Sequence, residues 1–447
     1  MEYKPYPTYK DSDVEWLREL PEEWSHAPLK FSSLIENSGS YGSEEGESEH
    51  DLPVCTTAHI TPQDELQIEK MPIRSFLTAE VRRYVGTPGD IFVVKSSGSN
   101  TNIISGKLSR IKESDGAVIF SNFLMRVRPD SEKVTSALLA YFLSSSITRE
   151  RIKRMVATTT YPNINVEDYV SSHIPLPPET DQVKIVSFLD RETTRIDTLI
   201  EKKQRLIELL KEKRQAVITQ AVTKGLDPSV PMKDSGVEWL GEVPEHWFVG
   251  RLGYYGLVNN GTTPSKANDE YWFDGDVPWL SSGAVNQETV LTPSEYITRK
   301  ALTECSVKML QVGTVIVGMI GQGKTRGMSA ILAVSATINQ NLAAVVTDNR
   351  LSSYYLHYVF KAAYESIRNV GRGGNQAALN CEILSDMKIP VPEYDEQAKI
   401  VDAIKSRISK IDVVEEQSER SLSLLKEHRS ALITAAVTGQ IDVRNLA

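Results

Sequence analysis

Two stretches of the chain place apolar residues in steps of three and four. In the first these are Ile185, Leu189, Ile196, Leu199, Leu206, Leu210 and Val217. In the second they are Ile400, Ile404, Ile411, Val414, Leu425, Leu432 and Ala435. Glu, Lys and Arg fill the faces between, and neither stretch contains an internal Pro or Gly. The period is that of a coiled-coil seam. It predicts two helices of about 40 residues, each about 60 Å long at 1.5 Å per residue. A seam this narrow does not hold a lone helix, so the two are expected to pack on each other. Antiparallel packing follows because a large domain separates them in sequence. Lys203 and Lys213 at seam positions argue against ordinary amphipathic helices in separate cores. Lys224-Gly225-Leu226-Asp227-Pro228 reads as a helix stop and exit turn.

The rest of the chain is written twice. Asp11-Ser-Asp-Val-Glu-Trp-Leu-Arg-Glu-Leu-Pro-Glu-Glu-Trp24 returns as Asp234-Ser-Gly-Val-Glu-Trp-Leu-Gly-Glu-Val-Pro-Glu-His-Trp247. Ile174-Pro-Leu-Pro returns as Ile389-Pro-Val-Pro, and Gln182-Val-Lys-Ile-Val as Gln397-Ala-Lys-Ile-Val. Both helical stretches end alike, in Ala216-Val-Ile-Thr-Gln-Ala-Val-Thr223 and Ala431-Leu-Ile-Thr-Ala-Ala-Val-Thr438. The expected order is therefore a repeat segment 1–25, a domain 26–173, a central helix region 174–232, a second repeat segment 233–247, a second domain 248–388 and a C-terminal helix region 389–447. The two middles are similar in length and share little sequence. Kept ends around diverged middles suggest that each middle recognises something different, although neutral drift of two structural domains leaves the same trace.

Both middles read as mixed α and β, giving an α+β chain of two pseudo-symmetric domains separated by two long antiparallel coiled-coil helices. Asp90-Ile-Phe-Val-Val94 and Gly313-Thr-Val-Ile-Val317 are expected strands. Leu138–Leu143 and Tyr354–Phe360 open matching helices. Polar loops follow each strand and each helix, and Arg, Lys, Asn, Gln and Ser suit contacts to phosphates and base edges. The candidates are Lys95, Ser97, Asn100, Asn102 and Lys107 in the first domain, and Gln322, Lys324 and Arg326 at the equivalent place in the second. Arg372, Asn375 and Gln376 form a further candidate loop. Loops of this composition are also ordinary solvated surface.

A formal net charge of −9 over 447 residues runs against a general affinity for phosphate. Part of it sits in one acidic loop containing Glu44, Glu45, Glu47, Glu49 and Asp51, so any nucleic-acid surface must be a local basic groove. Length suits several folded units. No apolar run is long enough to cross a bilayer, the first residues lack a signal-peptide pattern, and Cys55, Cys305 and Cys381 are scattered singles. A cytoplasmic protein without a membrane partner or a metal site is expected.

One motif points elsewhere. Gly318-Met-Ile-Gly-Gln-Gly-Lys-Thr325 fits the phosphate-binding loop of nucleotide hydrolases, whose mechanism needs a helix opening at Lys324-Thr325. Arg326-Gly327-Met328-Ser329 and the strand-like Ala330–Val334 follow instead, so a hairpin turn is expected. Glu201-Lys-Lys203 resembles part of a nuclease site but lies within the coiled coil. The sequence offers no H-E-x-x-H, no G-x-S-x-G, no Asn-Pro-Pro-Tyr or Asp-Pro-Pro-Tyr and no clustered histidines, and hence no catalytic set.

The doubled Asp-Ser-x-Val-Glu-Trp-Leu-x-Glu-x-Pro-Glu-x-Trp, with Ile-Pro-x-Pro and the long helix ending Ala-x-Ile-Thr-x-Ala-Val-Thr, resembles the DNA-specificity subunits of Type I restriction–modification systems. The resemblance covers nearly the whole chain. It implies that the middles are target-recognition domains, each reading one half of a bipartite, asymmetric site in double-stranded DNA. It also implies that the helices set the spacing and dock two modification (methyltransferase) subunits, joined by restriction subunits that translocate and cleave DNA. S-adenosylmethionine, ATP and Mg²⁺ would sit on those partners, with no cofactor in this chain. Asp13 and Arg18 stand where the second copy has Gly236 and Gly241, and the acidic loop is a feature of this chain beyond the resemblance.

Overall fold

The computed structural model describes residues 3–61, 64–97, 103–156, 163–321, 324–370 and 378–446. They form two compact units. One comprises residues 1–203 with 420–447, the other 204–419. Each unit thus combines one diverged domain, the first half of the long helix that follows it, and the last half of the other long helix.

The units share one wiring. In the first, Tyr9–Asp11 pairs antiparallel with Glu19–Pro21, and Ser25–Pro28 pairs with His173–Leu176, closing the domain at its base. Between them lie a sheet ordered Ser33–Glu36, Leu124–Pro129, Ile91–Val94, Leu108–Arg110 and a second sheet containing His50–Cys55. Ile91–Val94 is buried along its whole length, as a run of four apolar residues within a sheet should be. The helix Ser136–Ser144 turns Leu138, Leu139, Phe142 and Leu143 inward, and these share a core with Ile91 and Val93. In the second unit Phe248–Arg251 pairs with Lys388–Val391. The sheet runs Gly256–Asn260, Leu342–Thr347, Val315–Gly318, Ser329–Leu332, Thr289–Val290, beside the helix Ser353–Ala362. The expected strands and helices of both middles are present, with shifted ends.

The long helices are Glu179–Lys224 and Tyr394–Val437, slightly longer than their apolar periodicity suggests. Within each unit they run antiparallel. In the second unit Lys211 reaches Glu415 while Arg214 reaches Asp412, so one number rises as the other falls. In the first, Asp197 faces Arg429, and Arg191 donates to the carbonyl of Leu446, beyond the helix end.

Ile185, Leu189, Ile196, Val217, Ile400, Ile404 and Leu432 are buried, and Leu206, Leu210, Ile411 and Leu425 are half-buried. Three seam positions are corrected. Leu199 is 39% exposed, Val414 42% exposed and Leu206 only half-buried, and the stripe passes instead through their neighbours Ile200, Glu415 and Ile207. Thr193 accounts for the slip. It is buried in the stripe because its hydroxyl is spent on the carbonyl of Leu189 at 2.6 Å, and a count of apolar residues steps over it. With Thr193 included, Ile196, Ile200, Lys203, Ile207, Leu210, Arg214 and Val217 follow in steps of four and three. The sequence offset that relates Ile185 to Ile400 reproduces every one of these positions in the second helix, as Ile411, Glu415, Ser418, Leu422, Leu425, Arg429 and Leu432.

The repeat segments act as collars on the helix ends. Trp24 is fully buried against Gly439, whose φ is +72°, and a Cβ there would lie 2.4 Å from Pro21. Trp247 sits over Gly225, also at φ +72°. Only glycine accepts both the left-handed turn and the approaching indole.

Candidate nucleic-acid interface

In each unit the kept framework ties the long helix to the domain that precedes it. Gln182 makes this tie in the first unit. Its side chain accepts from the backbone N–H of Thr135 at 2.8 Å and donates to the carbonyls of Lys133 and Pro177 at 2.8 and 3.0 Å. Gln397 repeats this in the second unit with Ser352 N–H, Arg350 and Pro392 at 2.8, 2.9 and 2.9 Å. The indole N–H of Trp24 donates to Asp181 at 3.4 Å, and that of Trp247 to Glu396 at 3.0 Å. The first turn of each long helix is thereby locked to its own domain.

In the first unit the arm leaves the strand Ile91–Val94 through Lys95. Its backbone is tied to Phe123 and Ile164, and burial pushes its ammonium below the usual lysine value. Ser97 is buried, with its hydroxyl against Ser105 at 2.8 Å and accepting from the N–H groups of Ile104 and Ser105. Its hydroxyl is spent on residues 104 and 105 and does not reach the surface. Lys107 is half-buried and donates to the carbonyl of Ile60 at 2.7 Å, and burial lowers its pKa as well. Beside it Arg149 holds Asp64 with bonds of 3.0 and 3.2 Å, while burial raises the Asp64 carboxyl. Of the three described candidates here, Lys95 directly follows the strand Ile91–Val94. Asn100 and Asn102 lie outside the described residues.

In the second unit the strand Val315–Gly318 is followed by a turn, and Ser329–Leu332 returns antiparallel to it. Among the described residues no helix opens after Lys324-Thr325, as a phosphate-binding loop would need, and the flanking strands pair antiparallel. Lys324 is exposed, and its carbonyl accepts from the Tyr364 hydroxyl at 2.7 Å and from Arg368 at 3.2 Å. Arg326 donates to the carbonyl of Arg368 at 3.1 Å. The hairpin is thus pinned to the helix Tyr364–Val370. Lys324, Lys361, Tyr364, Gln215, Glu288 and His357 line a cleft of about 390 Å³ beneath it. His357 faces the Ser329 hydroxyl at 3.0 Å through Nδ1, and burial drives its pKa down to about 4, so the ring is neutral at pH 7. Sequence reasoning missed Lys361, Tyr364 and Arg368. They lie on helices, where charge every third or fourth residue reads as solvated surface. Gln322, Arg372, Asn375 and Gln376 lie outside the described residues.

Among the described residues no group of three or more His, Cys, Asp or Glu could hold a metal ion, and no helix is long and apolar enough to cross a membrane. Burial raises the Cys55 thiol to about 12, which makes it an inert core residue. Among the described residues, Lys95 at the end of a strand in the first unit and the exposed Lys324 in the second supply cationic donors. Such a surface can position a polyanion and read hydrogen-bonding edges.

Residues 85–209 and 244–422 match the family model described as the Type I restriction modification DNA specificity domain. The EcoR124I/EcoR124II specificity subunit of Escherichia coli is 30% identical over 183 residues, 40% of this chain. That match spans 42% of the relative's length, well short of the whole. The putative MjaX specificity subunit of Methanocaldococcus jannaschii is 22% identical over 434 residues, 95% of both chains. The EcoKI specificity subunit of Escherichia coli K12 is 22% identical over 447 residues, covering 95% of this chain and 90% of the relative. Two solved structures share the fold. One is a chain of a type I R-M system (TM-score 0.70, 18% identity, 94% of this chain and 99% of that one). The other is the HsdS subunit from Thermoanaerobacter tengcongensis (TM-score 0.54, 17% identity, 94% and 98%).

Proposed function

Because the chain belongs to the Type I restriction–modification DNA-specificity family, we propose that it reads a bipartite DNA site, one half with each unit, and carries methyltransferase subunits to it. The observation that supports this best is the exact repetition of the anchoring framework around two unlike reading arms. Gln182 and Gln397, Trp24 and Trp247, and the offset seam are kept. The arms differ, Lys95 and its turn in one unit and the Lys324 hairpin in the other. A scaffold for one repeated ligand would have no reason to vary its arms while keeping its anchors.

On this reading the seam helices set the half-site spacing, as dimer geometry does elsewhere. Covalent joining lets the second half-site bind at high effective concentration. Each well-placed bidentate pair contributes about 1–3 kcal/mol of base discrimination. The chain supplies recognition and assembly. Methyl transfer from S-adenosylmethionine, and ATP- and Mg²⁺-dependent translocation and cleavage, belong to partner subunits. The net charge of −9 fits a protein that meets DNA through local basic arms together with such partners.

The test is a genome-wide map of methylated adenines in cells with and without the gene. One two-part motif should vanish on deletion. Replacing residues 26–173 with another first domain should change one half of that motif, and a change in both halves would refute the division of labour.

A further inference from the structure

One buried side chain of the second unit is not needed by the fold that holds it. Gln182 and Gln397 grip the backbone N–H of Thr135 and of Ser352, which places the two domain helices in register. Five residues on, the first helix carries Ala140 and the second carries His357, and nine residues on Ser144 stands against Lys361. The register holds on the core side. There Leu138, Leu139, Phe142 and Leu143 answer to Tyr355, Leu356, Val359 and Phe360, all of them buried. A helix in this place therefore folds with a methyl group where the second unit puts an imidazole.

His357 is only 4% exposed. Its Nδ1 is taken by the Ser329 hydroxyl at 3.0 Å, and its Nε2 has no hydrogen-bond partner among the described residues. Buried polar atoms are nearly always paired, so one left over asks for a group from outside the chain. The ring lines the cleft of about 390 Å³, a size within the roughly 300–1,000 Å³ of small-molecule sites. Val285, Gly327 and Met328 give that cleft apolar walls, and Asn286 and Gln287 bring exposed amides to it. Lys361 is consumed by Glu288, and Gln215 by the carbonyl of Lys361 at 3.0 Å. Burial, and then the neighbouring Lys361, keep the imidazole neutral. The cleft beside Ala140 and Ser144 in the first unit, of about 320 Å³, is instead lined by charge, with Asp190, Asp197, Arg110 and Arg429.

A neutral imidazole and amides beside apolar walls suit a flat, uncharged ring whose edge carries both donors and acceptors. A cation would meet Lys324 and Lys361. A triphosphate tail carries more negative charge than Lys324 alone balances once Lys361 is paired with Glu288. We propose that the cleft binds an uncharged nucleobase, its edge bonded to His357 Nε2 and to the amides of Asn286 and Gln287, presented either as a free nucleoside or as an unpaired base of DNA. Base edges are of this kind, and sites that hold an unstacked base combine such hydrogen bonds with apolar cover on its faces. The inference assigns a ligand to one unit and does not rest on the reading of a bipartite site.

The full-length chain with isotope-labelled histidines should be titrated with adenosine, guanosine, cytidine and thymidine, and separately with a duplex carrying one unpaired base. The His357 Nε2 resonance is the one missing from His357→Ala, a variant expected to fold because the first unit carries Ala140 at this place. A nucleoside should bind saturably and shift that resonance. Its affinity should fall at least tenfold in His357→Ala and in Asn286→Ala/Gln287→Ala, where only exposed amides are removed. A shift with the unpaired-base duplex, absent with fully paired DNA and with nucleosides, supports the same site with DNA as the source of the base. No shift beyond that given by fully paired DNA, or nucleoside binding that survives His357→Ala within twofold, overturns the inference. The proposed function is judged separately, by the two-part methylation motif, and survives an empty cleft.

Discussion

Arg429 grips the carboxylate of Asp197 through two hydrogen bonds, Nε to Oδ1 at 2.7 Å and Nη2 to Oδ2 at 3.0 Å, between the antiparallel long helices of the first unit. Arg214 and Asp412, one repeat offset away, form the same pair in the second unit, where Arg214 also approaches Glu415 at 3.6 Å. Both arginines occupy seam positions that an uninterrupted coiled coil would fill with an apolar residue. A charge in the seam favours one alignment over its neighbours, since a shift by one turn leaves a partly buried guanidinium without its carboxylate.

A double-mutant cycle over Arg429→Ala and Asp197→Ala should therefore give a coupling of about 1 kcal/mol, at the top of the common range for exposed pairs because the geometry is bidentate. Arg214 and Asp412 should couple in the same direction. Urea unfolding at low and high salt measures both, and a coupling near zero at low salt would mean that the pairs do not set the alignment.

Gln397 is fully buried and makes three hydrogen bonds to backbone groups at the start of the second long helix. Gln397→Ala leaves a backbone N–H and two carbonyls to find other partners, which should cost about 3 kcal/mol. Gln182→Ala should behave alike in the first unit. Hydrogen exchange should show the loss centred on residues 348–356 and 392–400, and a uniform change along the chain would count against a local anchor.

His357 is neutral in the folded chain, its pKa lowered by burial from the ordinary 6.5 to about 4. The unfolded chain therefore binds a proton between those values that the folded chain does not. The contribution is fully present above pH 6.5 and is lost as pH falls towards 4. Stability should drop by about 2 kcal/mol from pH 7 to pH 5 on account of this group. His357→Asn should flatten that part of the curve, and urea midpoints at the two pH values decide it.

Lys324 is exposed and is followed by the strand Ser329–Leu332 rather than by a helix. Lys324→Ala should weaken DNA retention to a similar degree on any sequence and reduce the salt slope by about one. Fluorescence titration of the isolated chain with ATP should show no saturable binding, and binding lost in Lys324→Ala would revive the nucleotide reading.

Duplication, helix existence and antiparallel pairing were all legible in the residues. Long periodic segments carry their own signal in the spacing of apolar side chains, and a doubled motif such as that ending in Trp24 and Trp247 needs no contacts to be recognised. That no helix follows Lys324-Thr325 was legible too, because Ser329–Leu332 has strand rather than helix character.

The phase of the seam was decided only in three dimensions. Whether Leu199 or Ile200 turns inward depends on Thr193, whose hydroxyl can be buried because the helix backbone accepts its proton. The same holds for the reading arms. Ser97 and Lys107 look like groove contacts from composition, yet one is buried and the other spends its ammonium on the carbonyl of Ile60. Local propensity sets which element forms. Which face of it is covered depends on side chains far away in the chain, and that information exists only once the chain has folded.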